Sequence, residues 1–145
     1  MENVAAIVGF GAACEQVAPC IDSEIGAQQA LSASLLMAAL DVAGVHLLGD
    51  PDPAGRLPHI VCLGIDGVEA EPILLALDQK GVAVHSGSSC SSEMLEPSPV
   101  LRAMGADADH SLRISVGWNS DDTDVTQFAG AFPGIVERLR ALRAR

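Results

Sequence analysis

Apolar positions divide this chain into alternating helical and extended stretches. From Val4 to Val17 the side chains are small or apolar at helical spacing, which predicts a helix over Val4–Val17 that stops before Pro19. Its glycines and alanines suit close packing better than intrinsic helix strength. A second helix follows, with Asp22 or Ser23 as its cap, running to about Val42 and stopped by Gly44. Val45–Leu48 is a short strand candidate, and Asp50–Arg56 is a turn rich in Pro, Asp and Gly. His59–Ile65 is apolar nearly throughout, the pattern of a strand buried on both faces. Glu69–Gln79 is amphipathic, with Ile73, Leu74, Leu75 and Leu77 on its apolar side, and Gly81 ends it. Val82–Val84 predicts a strand, Ser98–Met104 a short helix and Ser111–Val116 a strand. The last helix runs from near Asp121 to about Leu142. Asp121, Asp122 and Asp124 open it, and Arg138, Arg140, Arg143 and Arg145 close it, a polarity that complements the helix dipole.

These elements predict an α/β fold, an α+β sandwich. A small mixed sheet of about three or four strands carries helices mainly on one face. No repeat or low-complexity linker interrupts residues 1–145, so one domain is expected. Apolar residues at 49% and charged residues at 19% exclude a disordered tail. A net charge of −11 repels phosphate backbones, so nucleic acid is not an expected partner. No apolar run reaches the roughly 18–20 residues needed to span a bilayer, and the N-terminus has no basic leader. A cytoplasmic location without a membrane partner is the expectation. The cysteines Cys14, Cys20, Cys62 and Cys90 form no CxxC pair and read as free thiols. With no close Cys or His pair, the histidines His46, His59, His85 and His110 do not suggest a metal site.

Three residues carry candidate chemistry. Cys90 sits among Ser86, Gly87, Ser88, Ser89, Ser91 and Ser92, where no large apolar neighbour can bury it. An exposed thiol of this kind is either a nucleophile or an ordinary surface cysteine, and nearby Glu93 disfavours its thiolate. Mobility is expected for Ser86–Leu95, which is short of apolar anchors. Arg113 lies inside an otherwise apolar strand. It can grip a carboxylate with both guanidinium nitrogens, or make a surface ion pair. His85 stands between strand and loop, where it is a candidate for proton transfer or merely a strand-end residue. Cys14, Cys20 and Cys62 lie on apolar elements, and core packing is the expectation for each.

Several segments then fall into one order. ENVAAIVGFGAA, RLPHIVCLGIDGVEAEPILLALDQKGVAV, SGSSCSS, LEPSPVLRAMG and SLRISVG resemble successive parts of the C-terminal, small domain of the NifS/IscS-like cysteine desulfurases. These are class V aminotransferase-type enzymes of fold-type I that depend on pyridoxal phosphate (PLP). The resemblance implies that Cys90 attacks the sulfur of PLP-bound cysteine and holds it as a persulfide. It implies that Arg113 binds the substrate carboxylate. It also implies homodimers, and a sulfur acceptor such as an iron–sulfur scaffold protein. Trp118 replaces a usual basic residue, His59 a common asparagine, and the linker Ala106–His110 is short. The lysine that carries PLP belongs to a large domain, and Lys80, the sole lysine here, has no such motif around it. PLP is therefore expected only in the complete enzyme, with no cofactor-binding residues and no activity in this chain alone. The chain is a truncated piece, one half of a split enzyme, or a free-standing sulfur-relay or regulatory module without PLP chemistry.

Overall fold

The computed structural model describes residues 2–86 and 98–143. Cys90, and most of the segment Ser86–Leu95 for which mobility is expected, lie outside the described residues. Five helices and four strands are described: α1 Val4–Val17, α2 Ile21–Leu40, β1 Val45–Leu47, β2 Ile60–Ile65, α3 Ala70–Asp78, β3 His85–Ser86, α4 Pro99–Ala103, β4 Ser111–Ser115 and α5 Asp122–Arg143.

The strands lie in the order β1-β2-β4-β3, and each neighbouring pair is antiparallel. A mixed sheet was expected, and the pairing is antiparallel throughout. β2 and β3 do run the same way, but β4 enters between them in the opposite direction. A strand inserted into a split βαβ unit turns both of its contacts antiparallel.

One face of the sheet is the core. Val61, Leu63 and Ile65 of β2 and Leu112 and Ile114 of β4 alternate onto it. Leu35 of α2, Ile73 and Leu77 of α3, and Phe128 and Phe132 of α5 join the same buried cluster. The two phenylalanine rings stack with centroids 4.8 Å apart. Pro133 lies within α5 and removes one backbone donor from the helix ladder without ending it.

The strand predicted over Val82–Val84 is displaced, since pairing starts only at His85. Gly81 takes φ 76°, and the Val82 N–H bonds back to the Leu77 carbonyl. That tight exit from α3 holds Val82 and Val84 against the core but off the ladder. A cavity of 230 Å³ separates residues 81–84 from the end of β4 and the start of α5.

Arg140, near the end of α5, ties two turns to that helix. Its Nε and Nη2 donate to the Asp66 carbonyl and its Nη1 to the Ala43 carbonyl, at 2.6–3.0 Å. Gly44 passes beneath it at φ 71°, and a Cβ there would stand 3.0 Å from Nη2.

The N-terminal region departs most from expectation. Neither Asp22 nor Ser23 caps α2; a 3₁₀ turn, Ala18–Cys20, splices it directly to α1, and Ser23 bonds back to the Cys20 carbonyl at 2.8 Å. Pro19 sits at the start of that turn, where its missing N–H is harmless. The joined run Val4–Leu40 contains an 18-residue window of mean hydropathy 1.6, long and apolar enough to cross a membrane by length and composition. The expectation that no such stretch exists is corrected, because small residues and the splice extend the apolar pattern past Pro19. Nothing on α1 is buried. Cys14 and Cys20 are consequently exposed rather than packed in a core.

Candidate functional site

The face of the sheet opposite the core carries the candidate chemistry. On β4, Leu112 and Ile114 point inward, so Ser111, Arg113 and Ser115 point outward. The pairing register places Cys62 of β2 on one side of Arg113 and His85 of β3 on the other. Directly opposed residues bring their Cβ atoms to about 5 Å. With strands about 4.8 Å apart, Cys62 and His85 lie about 10 Å from each other across the guanidinium-bearing strand. The result is a row Cys62–Arg113–His85. His85 is exposed, and the other two are half-buried.

The electrostatics of the row are uneven. Burial pushes the Cys62 thiol up, and the Arg113 charge and the Leu63 N–H only partly pull it back. Cys62 is therefore a neutral neighbour for Arg113 at neutral pH. Among the described residues no carboxylate comes within ion-pair distance of Arg113; the ion pairs there are His46–Asp66 at 3.8 Å and His110–Asp107 at 3.0 Å. Among the described residues the guanidinium is thus a cation without an ion-pair partner on a partly sheltered face, suited to a carboxylate ligand.

The next positions along the face are closed. The His46 ring lies over Gly64, where an added Cβ would overlap it. Ser111 is fully buried and donates to the Ala108 carbonyl at 2.7 Å. The loop 106–110 is tied down by its own bonds. Burial works against the Asp107 charge, but the Asp109 N–H and the His110 ring hold its carboxyl below the usual carboxylate range.

Two of the three predicted site residues, His85 and Arg113, are brought together, while Cys90 is outside the described residues. Cys62 was missed as a member of the site. It is half-buried on the outward face, not in the core, because β2 is covered on one side only there. The signal was available in β4: serines and arginine alternating with leucine and isoleucine mark one wet face, and the strand paired with it must share that face.

The residues present do not fit a PLP Schiff-base site. Lys80 is exposed just past the end of α3, and its carbonyl accepts from Gln127 Nε2 at 2.6 Å. Phe128 and Phe132 stack inside the core, and Phe10 and Trp118 stand in solvent, which leaves neither ring placed to cover a pyridine.

Residues 1–128 match the family described as Aminotransferase class-V. The chain belongs to that family. This class-V chain is 38% identical over 97% of its length to cysteine desulfurase IscS 1 of Archaeoglobus fulgidus, of which it covers 37%. It is 34% identical over 96% of its length to cysteine desulfurase NifS of Azotobacter vinelandii, covering 35% of that protein. The chain thus spans little more than a third of the curated relatives it matches. The NifS-like protein of Rickettsia africae superposes with a TM-score of 0.78 at 27% identity, over 94% of this chain and 36% of that one. The fold also matches the cysteine desulfurase CsdA of Escherichia coli, TM-score 0.74 at 21% identity, over 96% of this chain and 32% of that one. The class-V family is PLP-dependent, and an α/β fold with a four-stranded sheet is what this chain shares with its NifS-like neighbours.

Proposed function

We propose that residues 1–145 form the small domain of a cysteine desulfurase, working with a PLP-binding large domain carried on another chain or segment. The observation that carries this reading is the match to cysteine desulfurases along 97% of the chain, joined to an arginine without an ion-pair partner among the described residues. In this reading Arg113 binds the carboxylate of L-cysteine through paired N–H donors. Cys90 receives the sulfur as a persulfide and delivers it to an acceptor such as an iron–sulfur scaffold protein. His85, exposed beside Arg113, moves a proton at its ring nitrogen. The complete enzyme is a homodimer, cytoplasmic and free of membrane. The apolar exterior of α1 then serves as a packing surface within the enzyme rather than as a span.

The test mixes the chain with PLP and L-cysteine, alone and with a candidate large domain, and measures sulfide. Sulfide should appear only in the mixture with the large domain, and Cys90→Ser should abolish transfer to an acceptor with the fold intact. A free-standing relay predicts instead that Cys90 loads from an external persulfide donor and that no large domain restores sulfide release. Full transfer by Cys90→Ser would overturn both readings.

A further inference from the structure

Cys62 has no part in the reading above, yet the strand register sets it directly opposite a cation. Its register partner is Arg113, on the same outward face, and the two side chains stand about 5 Å apart at their Cβ atoms. The pair is half-buried, so ligands reach it from one side only. His85 flanks the arginine on the far strand, so the guanidinium stands between a thiol and an imidazole. An anion held by the guanidinium lies within one side-chain length of the Cys62 sulfur. The exposed thiols Cys14 and Cys20 differ from it, because their surroundings on the N-terminal helices are acidic: Glu15, Asp22 and Glu24.

We propose that Cys62 is a thiol-modification site steered by Arg113, at which small disulfides bearing a carboxylate dock on the guanidinium and exchange with the Cys62 thiol. The small fraction of Cys62 that has lost its proton attacks, as thiolate, the nearer sulfur of the disulfide. A new S–S bond forms, the original S–S bond breaks, and the departing sulfur takes up the proton that Cys62 lost. The small disulfide is the oxidant, Cys62 becomes a mixed disulfide, and one small thiol is released. The attached carboxylate then covers Arg113. Where Arg113 serves as the substrate clamp, as in the proposed function, this modification blocks substrate binding and thiol reductants restore it. The steering itself rests only on the geometry of the row.

The experiment compares two reagents on the intact chain. Dithiodiglycolate carries carboxylates, and bis(2-hydroxyethyl) disulfide is neutral and of similar size. Peptide mapping by mass reads the rate at Cys62 separately from those at the other cysteines. The ratio of carboxylate to neutral reagent at Cys62 should fall about fivefold in Arg113→Gln, the effect expected of one charge a few ångströms away in a high-dielectric setting. Taking a ratio cancels any change in the thiol's own acidity. Arg113→Lys keeps the charge without the fork and should retain more than half of the enhancement on a logarithmic scale. The ratio at Cys20 should not respond to either substitution beyond about 1.5-fold, given its distance on another element. An unchanged Cys62 ratio in Arg113→Gln overturns the proposal, and so does a Cys62 that reacts with neither reagent. Sulfide release is not read, so failure of the desulfurase reading leaves this result standing, and the reverse.

Discussion

Arg140→Ala should loosen the molecule at two turns that are far apart in sequence. The arginine spans from α5 to the Ala43 and Asp66 carbonyls; Arg143, one turn on, adds a bond to the Gly67 carbonyl only, so among the described residues Arg140 alone ties both turns to α5. Hydrogen bonds to a charged donor contribute about 1.5–3 kcal/mol when the abandoned partner stays dry. Here water reaches both carbonyls, so about 0.5 kcal/mol per bond is appropriate, and three bonds give about 1.5 kcal/mol. For a domain of this length that lowers Tm by about 3–6 °C and moves the urea midpoint by about 0.5–1 M. Arg140→Lys should recover less than half, because an ammonium cannot fork across two carbonyls. Arg138→Ala, on the same helix end and exposed, is the control and should cost under about 0.5 kcal/mol. Amide exchange adds a local readout: the Asp66 N–H, bonded to the Gly44 carbonyl at 2.8 Å, should lose protection first. A Tm within 1 °C of the parent chain in Arg140→Ala, or full rescue by lysine, would refute the clamp, taking ~3 °C per kcal/mol as the scale.

Other outcomes follow from the same structure. Phe132→Ala removes a fully buried ring from the stacked pair and should destabilise by about 3–5 kcal/mol in chemical denaturation. Arg113→Ala should leave thermal stability within about 1 kcal/mol, since the residue is half-buried and unpaired among the described groups. In a reconstituted enzyme it should raise KM for L-cysteine while persulfide loading of Cys90 from an external donor stays unchanged. Asp121 is held below the usual carboxylate range by the Thr123 hydroxyl and by the Thr123 and Asp124 N–H groups, and Asp107 shares that direction. Both carboxylates therefore stabilise the fold above the ordinary aspartate range. That contribution is lost as pH falls through their lowered folded values. Denaturation midpoints measured across acid pH should flatten in Asp121→Asn.

The helices were legible because their signals are local. Val4–Val17 was read to the residue, and Ser98 capping a helix with Pro99 behind it is a short-range pattern that needs no tertiary context. The sheet was harder. Nothing within Ser111–Val116 says that this strand enters between two others, and that insertion is what makes the sheet antiparallel. Val82 and Val84 satisfied a strand pattern yet were claimed by the core through the turn at Gly81, so pairing slid to His85 and Ser86. The exposure of Cys14 and Cys20 was invisible for another reason: an apolar helix announces that it suits burial, not that a burying partner is present. Arg113 was singled out by its placement in an apolar strand together with the family resemblance. Cys62 needed the register, which only long-range pairing supplies.

The bare surface of α1 has a thermodynamic consequence. Fourteen residues is near the lower limit at which a helix holds itself in water, and this one includes Gly9, Gly11 and four β-branched positions, Val4, Ile7, Val8 and Val17. Asn3 caps it through the Ala6 N–H, but no side chain of the core contributes to it. Among the described residues, its tie to the rest of the domain is therefore the 3₁₀ splice to α2. Heat or denaturant should fray it from its N-terminus in an early step, ahead of α5 and the sheet. A surface that came to cover α1 would add to the stability of both at once, and would convert a two-step molecule into one that unfolds as a unit.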